Sequence, residues 1–260
     1  MKGRIAIALA ALALISQIAL AEDADAIVRA SRDRIDAKTV SSRSRMVIAA
    51  KNGTTTERLL DQYSADSDDG TKTLIVFQKP AGIAGTRFLT IGKKSAGDDR
   101  WIYLPALGKV RRIAASEGSG SFMGTDMSYD DISSANRESG QDSHRLLREE
   151  NLSGVACYVI ESAPKDASYQ YSKMVSWIEK ESKVSRKIDL YDRKGALVKT
   201  LEVLKTEAIQ GRLTPTVTKM STVSEGTSTT INVEIMKYDD KIPDGVFTTD
   251  YLSTGKVKAN

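Results

Sequence analysis

One cysteine and one histidine stand in 260 residues, and each scarcity closes off a class of chemistry. The lone Cys157 cannot form an intramolecular disulfide, so stability has to come from a packed core, which a chain of this length can supply. It lies in the apolar run Val155-Ala156-Cys157-Tyr158-Val159-Ile160, the setting of a buried, inert thiol. The single His144 has polar neighbours, Asp142-Ser143-His144-Arg145, as a solvated surface histidine does. No Cys or His cluster has metal-ligand spacing, and no cofactor is implied. Gly118-Ser119-Gly120 lacks the strand-turn-helix context and the lysine of a phosphate-binding loop. The adjacent pairs Asp68-Asp69 and Asp130-Asp131 would face opposite ways on a strand, and they read as turn or cap residues. Asp126 and Asp130 would share a helix face, yet no nucleophile or pKa-shifting neighbour can be named for them. An enzyme is not expected.

A dominant sign of charge is missing too. Thirty-eight Lys and Arg face 34 Asp and Glu, and the two signs are mixed along the chain, as on a solvated surface. The first residues explain part of the positive excess. Lys2 and Arg4 precede an apolar run from Ile5 to Leu20, broken only by Ser16 and Gln17, which ends on the small-x-small pattern Ala19-Leu20-Ala21. This reads as a secretory signal peptide, residues 1–21, cleaved after Ala21. The uninterrupted apolar stretch is short for a membrane span, and acidic Glu22-Asp23 follows at once. Losing Lys2 and Arg4 lowers the formal charge from +4 to +2, which weakens any case for a nucleic-acid partner. No cysteine at the junction could carry a lipid anchor. The expectation is a free exported chain, 22–260, in the periplasm and forming a single domain.

What is present is a strand pattern. Residues 24–36 read as one helix, with Ala24, Ile27, Val28, Ser31 and Ile35 on one stripe. Asn52-Gly53 then separates two extended runs, Ser42–Lys51 and Thr54–Tyr63, a strong two-residue hairpin signal. Ser67-Asp68-Asp69-Gly70 is a turn, followed by extended runs at Thr71–Lys79, Thr86–Lys93, Arg100–Leu104 and Lys109–Ile113. Phe122–Ile132 has mixed signals and reads as a loop with a helical turn. Strands resume at Ser143. Ile188 and Leu190 alternate with Lys187, Asp189 and Tyr191, and Asp192-Arg193-Lys194-Gly195 turns the chain into Ala196–Thr206. Leu213–Val223 and Thr229–Tyr238 close the series. One N-terminal helix and about ten antiparallel strands joined by short turns form a meander, which has to curl, close or pack on something. An incomplete barrel plugged by a helix or two is the natural solution.

A curled sheet buries one face against itself or against a guest. Apolar surface removed from water gains roughly 25 cal/mol per Å², so an acyl chain can be held without specific polar chemistry. Candidate lining residues are Phe77, Phe88, Trp101, Tyr103, Leu104, Phe122, Met123, Met127 and Trp177, each of which could instead simply fill the core. Arg111 and Arg112 are adjacent, so on a strand one points inward and needs a carboxylate. Asp126, Asp130 and Asp131 are the nearby partners, either as an ordinary ion pair or as a latch between sheet and lid.

The block Trp101-Ile102-Tyr103-Leu104-Pro105 through Arg111-Arg112-Ile113, then Ser121-Phe122-Met123-Gly124-Thr125-Asp126, resembles the outer-membrane lipoprotein-sorting protein family, related to the LolA and LolB carriers. A third match is Tyr171-Ser172-Lys173-Met174-Val175-Ser176-Trp177-Ile178, followed by Lys187-Ile188-Asp189-Leu190-Tyr191 and the Gly195 turn. The resemblance implies an unclosed antiparallel β-barrel, a half-barrel of about eleven strands, mainly β with a few helices and a helical lid over a hydrophobic cavity. It implies a periplasmic carrier of the acyl chains of lipoproteins or other lipids, moving them between inner and outer membrane. The alternative is a periplasmic accessory or regulatory binding protein, either a sensor of the RseB type or a partner of an inner-membrane transporter of the resistance-nodulation-division type.

Overall fold

The computed structural model describes residues 24–93, 97–133, 137 and 139–257. The expected signal peptide lies outside the described residues. Helix α1 spans 24–32. Strands β1 (Thr39–Ala49), β2 (Thr55–Ser67), β3 (Gly70–Lys79), β4 (Arg87–Ile91), β5 (Asp99–Leu104) and β6 (Lys109–Arg112) follow, then α2 (Tyr129–Ser133). Next come β7 (Asp142–Leu152), β8 (Val155–Pro164), β9 (Lys173–Glu179) and β10 (Ser185–Tyr191). The chain closes with β11 (Leu197–Ile209), β12 (Arg212–Thr222), β13 (Thr227–Tyr238) and α3 (Thr249–Thr254). The class is the expected one, mainly β, antiparallel and unclosed, with 13 strands rather than about eleven. Strand β8 contains the apolar run Val155–Ile160, and β7 and β9 flank it in the stretch where strands resume.

Contacts divide the described residues into two compact units, one within 24–34 and 139–197, the other within 35–137 and 198–257. In the smaller unit the strand order is β10-β9-β8-β7. Helix α1 sets Ala24, Ile27 and Val28 on Ile160 and Ile178 of that sheet. Helical periodicity puts these three residues on one stripe, as the sequence suggested. The helix stops at 32, short of the expected 36, and Ile35 falls outside it. Cys157, Val159, Val175 and Trp177 form a separate cluster. Burial raises the Cys157 thiol pKa, so it stays protonated and unreactive.

In the larger unit the order is β6-β5-β4-β3-β2-β1-β13-β12-β11, with β2 in the middle. Register is set by turn chemistry. Gly53 takes φ 84°, and the Asn52 side chain accepts from the Thr54 amide at 3.0 Å, which fixes the β1–β2 pairing from Thr39↔Ala65 to Ala49↔Thr55. The sheet has two covered faces. One carries Met46, Leu60, Ile75, Phe77, Phe88 and Ile102 and is covered by the segment 113–133. The other carries Leu74 and Leu89 and is covered by Phe247 and Leu252 of the C-terminal segment. Thr248 caps α3 by accepting from the Tyr251 amide, and Arg87 donates to the Leu252 carbonyl at 2.7 Å, which fastens the helix to β4.

Candidate functional site

The segment 113–133 is a small structure of its own. A 3-10 turn at Ala115–Glu117 leads into a loop closed by the Ser121↔Ser128 bridge, and the Phe122 amide donates to the Met127 carbonyl at 2.7 Å. Ser128 and Asp131 then cap α2 reciprocally, each side chain accepting from the other's amide, at 2.8 and 3.0 Å. The loop turns at Met123 and Gly124, both with positive φ (54° and 73°). Left-handed backbone at a methionine costs energy and has to be held by its surroundings. Arg58 of β2 holds it, donating from Nη1 to the Met123 carbonyl at 2.6 Å, with its guanidinium 5.9 Å from the centre of the Phe77 ring. Partial burial lowers the Arg58 pKa.

The loop drives Phe122 into the sheet. Its ring is fully buried, with centroids 5.9 Å from Phe77, 5.1 Å from Phe88 and 5.7 Å from Tyr129. Leu104 and Met123 pack partly buried against this cluster, and Met127 is buried. The space that the sequence reading assigned to a guest is therefore occupied by a side chain of the covering segment itself.

Strand alternation separates the remaining candidates. On β5, Ile102 and Leu104 join the Phe122 cluster, whereas Trp101 and Tyr103 point to the opposite face, under the C-terminal segment. Trp101 and Tyr103 thus lie away from the covered Phe face, because residues one apart on a strand cannot line the same cavity. Trp177 belongs to the other unit, where its Nε1 donates to Glu150 at 3.2 Å and Lys187 lies 4.4 Å over its ring. His144, also in that unit, hydrogen-bonds Ser162 at 2.8 Å.

The expected arginine–aspartate latch has different partners. Arg111 and Arg112 do face opposite ways, across from Ile102 and Trp101, but β6 is the outermost strand and both remain exposed at its rim. Arg111 pairs with Glu117 at 2.6 Å and Arg112 with Asp99. Lys93 and Arg112 hold Asp99 below the usual carboxylate range, and Arg111 and the Ala114 amide do the same for Glu117. The aspartates are engaged elsewhere. Asp130 takes Arg100 of β5 at 2.6 Å, and Asp131 takes Lys199 of β11 at 2.7 Å, both pairs largely buried. Asp126 is 7% exposed and accepts from three threonine hydroxyls, Thr222 and Thr229 at 2.7 Å and Thr227 at 2.5 Å. Thr222 and Thr227 face each other across β12 and β13, so one carboxylate closes over the end of that hairpin. The sequence reading missed Arg58, Arg100, Lys199 and the three threonines. The run Thr227-Ser228-Thr229-Thr230 was visible, but it reads equally well as ordinary strand composition.

A family model described only as "-like: Uncharacterized protein" matches residues 69–254. Among solved structures, a DUF1329 family protein from Desulfovibrio piger is 31% identical, with a TM-score of 0.85 over 90% of this chain and 99% of that one. The chain belongs to the DUF1329 family, with the fold of the LolA-like outer-membrane lipoprotein-sorting proteins. A putative outer membrane lipoprotein-sorting protein domain from Vibrio parahaemolyticus is 28% identical, with a TM-score of 0.84 over 90% of this chain and 99% of that one. A LolA superfamily protein from Nitrosomonas europaea shares the fold at 23% identity and a TM-score of 0.72, covering 88% of this DUF1329 protein and 98% of its own chain. No curated protein sequence matches the chain. No helix of the described residues is long and apolar enough to cross a membrane.

Proposed function

We propose that this DUF1329 protein is a periplasmic carrier that holds the acyl chain of a lipid or lipoprotein against the Phe77–Phe88 face, with residues 121–128 acting as a lid. The observation that carries this reading is Phe122: a fully buried aromatic delivered to an aromatic sheet face by a loop whose own ends are tied by polar contacts of Met123 and Asp126. A guest has to displace Phe122 and the Met123 packed beside it. Each buried methylene contributes about 0.8 kcal/mol, so a chain of sixteen carbons can outweigh the lost burial of these side chains. The lipoprotein-sorting relative from Vibrio parahaemolyticus and the leader-like first 21 residues support the cargo class and the compartment.

Native mass spectrometry of the protein purified from cell envelopes tests the reading. A stoichiometric adduct with the mass of an acylated lipid is the expected result. A chain that stays free of lipid, even with lipid in excess, overturns it.

A further inference from the structure

Among the described residues, five buried side-chain polar atoms have no hydrogen-bond partner: Thr90 Oγ1, Arg100 Nε, Ser133 Oγ, Ser185 Oγ and Thr216 Oγ1. Buried polar groups are nearly always satisfied, and each one left alone costs about 1–3 kcal/mol. Three of the five fall at one place. Thr90 of β4 and Arg100 of β5 are direct cross-strand partners, which sets their Cβ atoms about 4.5–5.5 Å apart. Arg100 Nη1 donates to Asp130 of α2 at 2.6 Å, and Ser133 lies three residues further along that helix, on the same face. Thr90 and Ser133 therefore flank the largely buried Arg100–Asp130 ion pair. Gly118 makes room for it, since a Cβ at that position would overlap the Asp130 carboxylate.

The geometry points to a carbonyl subsite: Thr90, Arg100 and Ser133 together bind the neutral acyl carbonyl of an ester or amide whose tail lies on the Phe77–Phe88 face. This rests on the acyl-carrier reading and adds the chemistry of the head. Arg100 Nε can only donate, and the Thr90 and Ser133 hydroxyls can donate too, so an acceptor oxygen on the ligand satisfies all three. Arg100 is already neutralised by Asp130, so a second anion would be buried without a counter-charge, which favours an uncharged carbonyl over a free carboxylate. The tail direction follows from the strands. Phe88 and Ile102 stand two residues along from Thr90 and Arg100, on the same face, about 7 Å away. The helix that carries Ser133 is tied down by Arg100–Asp130 and Lys199–Asp131, so the subsite persists when residues 121–128 lift away.

The test uses the full chain with three probes of similar length: monooleoylglycerol, oleate and 1-octadecene, each measured by displacement of a fluorescent acyl probe. Monooleoylglycerol is expected to bind at least about tenfold more tightly than 1-octadecene and more tightly than oleate. Thr90→Val with Ser133→Ala should weaken the ester about tenfold and leave the hydrocarbon unchanged. Thr90→Ser should restore the preference, and Ser185→Ala, a buried unpaired hydroxyl in the other unit, should not alter it. Equal binding of ester and hydrocarbon overturns the subsite and leaves the carrier reading standing. So does a double variant that weakens both probes alike, as a mere folding defect would. Tighter binding of oleate overturns the neutral-carbonyl assignment. Binding of none of the three removes the carrier reading and the subsite with it.

Discussion

Replacing Phe122 by Ala separates a plug from an ordinary core residue. Phe122 is fully buried and its ring meets three aromatic neighbours within 6 Å, so a rigid interior would lose about 3–5 kcal/mol on its truncation. The sheet beneath would not lose its own packing, because Phe77, Phe88, Leu60 and Ile75 come from the strands. What weakens is the attachment of the lid. If closure of residues 121–128 competes with the guest, a loss of about 3 kcal/mol raises the open fraction about a hundredfold, and apparent acyl affinity rises by up to that factor. Phe122→Ala should therefore melt earlier and bind a fluorescent acyl probe more tightly. Phe88→Ala, on the sheet side of the same contact, should lose stability and affinity together. The reasoning fails if Phe122→Ala weakens probe binding in step with its melting temperature, for then Phe122 is only core and the guest, if any, sits elsewhere.

Other substitutions read out the parts around the plug. Asp126→Asn keeps the shape but replaces one of two carboxylate oxygens with a donor that faces threonine hydroxyls; hydrogen exchange of the 121–128 amides should speed up by about tenfold or more, with the global melt little changed. Gly118→Ala should destabilise by about 1–3 kcal/mol through the Asp130 overlap, whereas Gly82→Ala, which meets nothing within 4 Å, should be neutral in the same denaturation assay. Trp101→Ala should lower the melting temperature and leave acyl binding unchanged, because Trp101 packs under the C-terminal segment. Asp99 and Glu117 have depressed folded pKa values, so their contribution is present above about pH 4.5 and is lost as pH falls through the lower folded values. Melting temperature measured from pH 7 to pH 3 should fall at the acid end, and Asp99→Asn with Glu117→Gln should flatten that fall.

Local signals in the chain reached the strands but not the layers over them. Asn52-Gly53 and Ser67–Gly70 each fix a hairpin by the backbone conformations they permit, Asp192–Gly195 forms a turn, and all three stand where expected. Phe77, Phe88 and Phe122 were expected either to line a cavity or to fill the core, and in the structure they pack on one another. The error at Trp101 and Tyr103 has a physical source: the other face is covered too, by α3, only six residues long and too short for a periodic pattern. Its cap was legible all the same, in Thr248 before the helix and Gly255 after it. The ion pairs could not be read in advance. Which arginine is buried depends on whether its strand is inner or outermost, and Arg100 and Arg111 look alike until that order is known.

The partners of the covering segment divide it into a fixed part and a releasable one. Asp130 and Asp131 meet charged side chains, each in a largely buried pair, and breaking either would strand a charge at a cost of about 3–5 kcal/mol. Residues 121–128 are held through the Asp126 carboxylate, which accepts from threonine hydroxyls, and the Met123 carbonyl, which accepts from Arg58, and these groups can exchange their bonds for water as the loop lifts. The charged group of the loop is the Asp126 carboxylate, held by the three threonines. Arg58 stays behind on β2 without its carbonyl acceptor, beside the Phe77 ring and at the mouth of the vacated space. Opening therefore costs the charge-assisted hydrogen bonds of Asp126 and Arg58 together with the burial of Phe122 and the methionines beside it, a sum that an incoming acyl chain can repay and that thermal motion alone seldom can.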